Sequence, residues 1–215
     1  MKKSIVNMQG AIDRLAMIKN SSSEKIEVYA KRCWIDFMNP HIIDWWNDAS
    51  GDTNVARAIT RPFYDLVHSC SIPTGLITES AFNSHKKTKD HCFRPQFVYR
   101  FMLDNHEQFE DFSVFREWFI MCCSTILVTP NENDRLSFEG TRNRGGNYTI
   151  LSSTDQQYVR AKLDLYAFTN ERSWNQRSLI PMSNFIDAPQ VLLDYEKQYI
   201  TNEKYPIYNV IDLSA

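Results

Sequence analysis

The run Thr125-Ile126-Leu127-Val128-Thr129-Pro130-Asn131-Glu132 constrains the fold more than any other stretch of this chain. Its first four residues are β-branched or apolar, the composition of a short strand. Thr129 then offers an N-cap hydroxyl. Pro130 suits the first helical position, where a missing N–H costs nothing, and Glu132 stands three residues after the cap, where its carboxylate reaches back. A strand therefore hands over directly to a helix, expected over about Pro130 to Phe138.

Elsewhere the helical period dominates. Between Glu24 and Met38, the residues Ile26, Tyr29, Ala30, Cys33, Trp34 and Phe37 fall at three- and four-residue steps, one apolar helix face that Asn39-Pro40 ends. His41 to Asn47 predicts a further turn or two, and Pro62 opens a helix over Phe63 to Cys70. Pro73-Thr74-Gly75 closes this helical region, and residues 76 to 95 predict a polar, basic loop feeding a strand near Thr88 to Phe93. Apolar helices follow over Gln96 to Leu103 and Phe112 to Cys123. A short strand is expected over Tyr148 to Leu151, helices over Ser153 to Phe168 and Asp187 to Ile200, and an extended tail from Tyr205 to Ala215. The fold class is α+β, predominantly helical, with a small strand-strand-helix element. We expect one domain over 1–215, with a helical part to residue 80, a central core with a helical insertion over 81–150, and a helical C-terminal part over 151–215.

With 43% apolar and 13% aromatic residues and only six glycines and eight prolines, the chain can bury a core and is not linker-like. No apolar stretch reaches the roughly 18 residues of a membrane span, and Asn7, Gln9, Asp13 and Arg14 interrupt any signal-peptide core. A cytoplasmic protein without membrane contact is expected. Its five cysteines are scattered, without Cys-x-x-Cys spacing, so neither a disulfide framework nor a zinc knuckle is indicated. The net charge of −2 is not that of a nucleic-acid coat. An enzyme acting on nucleic acid needs only local basic surface, and two clusters supply it: His85 to Lys89, and Arg142 to Gly146.

One constellation suggests chemistry. Lys89-Asp90-His91 lies in the first expected strand, and Asn133 in the first turn of the helix after the second. Phosphodiester hydrolysis needs an activated water and positive charge on the phosphorane-like state and the leaving oxygen. An imidazole can take the proton near neutral pH, and Asp and Asn offer hard oxygens to Mg²⁺. Strand, strand, helix with His ending the first strand resembles the layout of the HNH, or ββα-metal, endonucleases, over about residues 85 to 137. The resemblance implies a metal-dependent DNA endonuclease or nickase of a homing, restriction or phage kind. It assigns His91 as general base and Asp90 and Asn133 as ligands of one Mg²⁺ or Mn²⁺. Lys86, Lys87, Lys89, Arg142 and Arg144 would hold the phosphates of double-stranded DNA, with Ser124, Thr129 and Glu132 supporting the site and a homodimer possible. Two departures stand out: Ser124 occupies the place of the family's middle Asn, and helices intervene between the two strands.

Simpler roles exist for each residue. His91 can be a strand-end histidine bonded to backbone, and Asn131 and Asn133 can decorate a helix start, where asparagine is at home. The lysine run can be a solvated face. Cys122 and Cys123 on an apolar helix predict core thiols rather than a nucleophile. Two other functions therefore stay open: a non-enzymatic interaction or assembly protein, and a nucleic-acid-binding module without hydrolysis.

Overall fold

Helix α1 (Ser23–Phe37) and helix α2 (Pro40–Asp48) meet at Asn39. The Asn39 side chain accepts from the Ile42 N–H, and Pro40 takes the first helical position, so one residue pair ends a helix and starts the next. The computed structural model describes residues 23–49, 52–141, 163–168, 179–181, 189–192 and 194–195. The expected strand at Tyr148, the start of the expected Ser153 helix and the tail from Tyr205 lie outside these residues, as do Arg142 and Arg144.

Helix α3 runs over Thr53–Ser69 with Pro62 inside it, not at its start. Asp52 is the true N-cap, its carboxylate accepting from the N–H groups of Asn54 and Val55. Ala56, Ile59, Phe63 and Val67 are all buried and form one stripe that continues through the proline. Pro62 and Ala58 are exposed, so the proline, which gives the Ala58 carbonyl no N–H, sits on the side of the helix open to solvent.

Pro73-Thr74-Gly75, expected to close the helical region, instead lies within strand β1 (Ile72–Thr78). Gly75 has φ +81°, and the register with the neighbouring strand shifts between Pro73 and Ile77, so the segment bulges and then resumes pairing. Thr74 ties the bulge down: its Oγ1 donates to the Thr125 carbonyl at 2.9 Å and accepts from the Leu76 N–H at 3.2 Å. A short helix α4 (Glu79–Asn83), capped by Thr78, occupies part of the expected loop.

Strand β2 (Thr88–His91) leads to helix α5 (Pro95–Asp104), a 3₁₀ turn (His106–Phe109) and helix α6 (Phe112–Cys123). Helix α6 passes directly into strand β3 (Ser124–Val128), which feeds helix α7 (Pro130–Thr141). Leu165–Phe168 is strand β4 and Leu179–Pro181 is strand β5. Strand β4 replaces the end of the expected Ser153 helix. A short apolar run reads equally as helix or strand, and antiparallel pairing with β1, through Leu76 to Ala167 and Thr78 to Leu165, decides it. Residues 190–192 and 194–195 are helical, as expected.

The sheet order is β2-β3-β1-β4-β5, with β1 and β3 parallel and the other neighbours antiparallel. Helices outweigh it, and the fold is the predominantly helical α+β class expected. The helices enclose an aromatic core in which Phe63 stacks on Tyr99 with centroids 4.3 Å apart, while Phe37 and Phe119 present edges to it. Such pairs add about 0.5–1.5 kcal/mol each beyond burial. The polar tips of these aromatics find partners: Tyr99 Oη donates to the Phe37 carbonyl, half-buried Trp34 Nε1 to the Phe109 carbonyl, and Trp46 Nε1 to Asp104. Among the described residues, no helix is long and apolar enough to cross a membrane.

Candidate active site

Strands β2 and β3 are separated in sequence by two helices, yet they pair antiparallel without a slip: Thr88 opposite Val128, Lys89 opposite Leu127, Asp90 opposite Ile126 and His91 opposite Thr125. The helical insertion thus leaves its two ends side by side. Pairing continues past His91, because the Cys92 N–H donates to the Ser124 carbonyl at 2.9 Å. Ser124 therefore holds the chain beside His91 through its main chain, while its hydroxyl donates to the Ile120 carbonyl at 3.1 Å.

The helix start is built as its sequence pattern suggests. The Glu132 N–H donates to Thr129 Oγ1, and Glu132 Oε2 accepts from the Thr129 N–H at 2.8 Å and the Thr129 hydroxyl at 2.9 Å. The same oxygen accepts from Thr78 Oγ1 at 2.8 Å, and Thr78 caps helix α4. One carboxylate thus joins the starts of α4 and α7. Burial pushes the Glu132 carboxyl up, but these hydrogen bonds, led by that from the Thr129 N–H, outweigh it and leave the group below its ordinary value.

His91 is 8% exposed. Its Nδ1 lies 2.9 Å from the Cys122 carbonyl, at the C-terminal end of helix α6, where carbonyls lack intrahelical partners. A carbonyl can only accept, so Nδ1 carries the proton and Nε2 the lone pair. Nε2 lies 3.4 Å from Nδ1 of His68, in the last turn of α3. Burial pulls the His91 imidazole down from 6.5 to about 4; the Cys122 bond opposes this, and His68 and Lys89 add to it. The ring is neutral at pH 7.

Side chains alternate across a regular strand, so Asp90 and His91 point to opposite faces of β2. Asp90 is half-buried on one face, and Lys89 shares the other with His91, its ammonium donating to Ser71 Oγ at 3.0 Å. Asn133 is half-buried in the first turn of α7, its N–H bonded to the Thr129 carbonyl. Lys86 and Lys87 are exposed in the loop before β2. The structure thus brings the His91 strand against the strand that feeds the Asn133 helix, and it sets His91 among His68, Tyr64 and Cys122 rather than on the Asp90 face.

The donor set of Asp90 and Asn133, a carboxylate and an amide oxygen, suits Mg²⁺, which asks for one or two carboxylates and keeps its waters. Among the described residues, no three His, Cys, Asp or Glu side chains gather as a cation-binding group.

No family model, curated protein or solved structure matches the chain. The residue missed in the sequence is His68. Its only signal was the spacing Arg61, Tyr64, His68 on one helix, which places the guanidinium 4.8 Å over the Tyr64 ring and stacks Tyr64 on His68 at 5.8 Å and 18°. Nothing local said that this helix end would meet the end of β2.

Proposed function

We propose that this chain is a metal-dependent endonuclease or nickase that hydrolyses phosphodiester bonds of double-stranded DNA. The observation that carries this reading is the pairing of β2 with β3 across the helical insertion, with β3 running into the capped start of α7. That is the strand-strand-helix order the proposed chemistry uses. Asp90 and Asn133 would be the oxygen donors to one Mg²⁺ or Mn²⁺, which supplies positive charge for the phosphorane-like state and the leaving oxygen. An imidazole at the end of β2, His91, is the proton acceptor, neutral at pH 7 with its tautomer set by Cys122. Lys86, Lys87 and Lys89 are the phosphate contacts, with Arg142 and Arg144 proposed beside them from sequence.

The test is relaxation of supercoiled plasmid by the purified chain with Mg²⁺ or Mn²⁺. The reading expects nicking that EDTA abolishes and that Asp90→Ala reduces by about 10²-fold or more, the scale of losing an electrostatic transition-state contact. A folded wild-type chain that leaves plasmid intact with either ion contradicts it.

One observation favours a second reading, a non-enzymatic assembly protein. Asp90 and His91 lie on opposite faces of β2, and both ring nitrogens of His91 are engaged, as in a histidine that caps a helix end. That reading expects no nicking, and a self-association or stable partner complex seen by sizing.

A further inference from the structure

On the His91 face of β2 a chain of polar groups runs on past His91 to His68, a residue that the endonuclease reading does not use. Its innermost member is the Cys122 carbonyl, which fixes a proton on His91 Nδ1. His91 Nε2 then has only a lone pair to present to His68 Nδ1, 3.4 Å away. Two lone pairs facing one another would repel, so His68 Nδ1 must carry the proton between them. The contact is long for a hydrogen bond, as catalytic hydrogen bonds often are before substrate is bound. The ring centroids are 5.7 Å apart, which leaves the two nitrogens nearly head-on between them. With its proton committed to Nδ1, neutral His68 has a lone pair on Nε2, and His68 is exposed where His91 is buried. Stacking on Tyr64, itself under the Arg61 guanidinium, holds the ring in this orientation.

We infer that the proton-acceptor role given above to His91 passes to His68, whose exposed ring meets water on this face, with His91 its positioning residue. The logic is that of a base oriented by a second group, which is in turn oriented by a third. Water loses a proton to His68 Nε2, and the resulting hydroxide forms a bond to phosphorus as the bond from phosphorus to the leaving sugar oxygen breaks; that oxygen takes up a proton from solvent. The imidazolium formed keeps its Nδ1–H on His91, so no proton need enter the buried ring. Lys89, on the same face of β2 as His91, is placed to hold a phosphate oxygen beside it. The substrate class rests on the endonuclease reading; the tautomer chain does not.

The experiment measures histidine ring tautomers in the full chain at neutral pH by long-range ¹H–¹⁵N correlation. His68 should be protonated at Nδ1, the form that histidine in water disfavours. His91→Leu, which fills the space without an acceptor, should return His68 to the Nε2–H form, and His91→Gln, whose side-chain oxygen can accept, should restore Nδ1–H. Finding His68 as the Nε2–H tautomer in the wild type overturns the inference, and so does a tautomer unchanged in folded His91→Leu. In plasmid nicking, His68→Ala should lose about 10²-fold or more. Nicking equal to wild type in His68→Ala removes the catalytic role. A wild type with the expected tautomers but no nicking would sink the endonuclease reading alone.

Discussion

His91 shows how burial and a single carbonyl together set the state of a titratable group. In the unfolded chain its imidazole takes up a proton near pH 6.5, whereas in the fold it resists protonation until about pH 4. The contribution to stability is therefore complete above pH 6.5 and is lost as the pH falls through 4, with a slope of up to about 1.4 kcal/mol per pH unit between. Urea unfolding at pH 7 and pH 5 should show this loss in the wild type, and a smaller loss in His91→Leu. Glu132 acts differently, since its carboxylate accepts from the Thr78 hydroxyl and from the N–H and hydroxyl of Thr129, with a further bond from Ser80. Glu132→Ala would leave those donors without it, at a cost of about 2 kcal/mol or more. Thermal melting checks this, and an unchanged Tm would mean that water replaces the carboxylate.

Among the elements, those whose signals are local were legible and those set by tertiary pairing were not. Helices α1, α5 and α6 followed from apolar period and breakers, and β3 with α7 from the Thr129 cap. Pro62 misled because proline is commonest at a helix start, yet the stripe from Ala56 to Val67 continues past it on the buried side while the ring faces water. Pro73 and Gly75 misled because together they mark turns, whereas here pairing on both sides turns them into a bulge. That position is strained for any other residue: Gly75→Ala at φ +81° has open space around its Cβ but should cost about 1–2 kcal/mol, read from the urea midpoint. Of the site, the residue types at 90, 91 and 133 were legible, but the side on which each points was not. Facing is fixed by the register of β2 on β3, a contact between segments more than thirty residues apart.

Over the whole molecule, one carboxylate links distant segments: Asp104 accepts from Trp46 Nε1 and from Tyr195 Oη, tying α2 and the C-terminal helical residues to α5. The thiols report on the intactness of this packing. Burial pushes Cys33, Cys92 and Cys122 up, far from the thiolate form, and Cys123 is buried as well, while Cys70 is half-buried. A disulfide reagent should therefore modify Cys70 first in the native chain and the other four only on unfolding; fast modification of all five would contradict the packed core. Metal-dependent cleavage by this chain requires that Asp90 and Asn133 serve one cation. Paramagnetic broadening of amide signals by Mn²⁺ tests it most directly. Saturable broadening at Asp90 and Asn133 together, removed by Asp90→Ala, is expected, and broadening at neither residue or at only one of them rules out a shared cation.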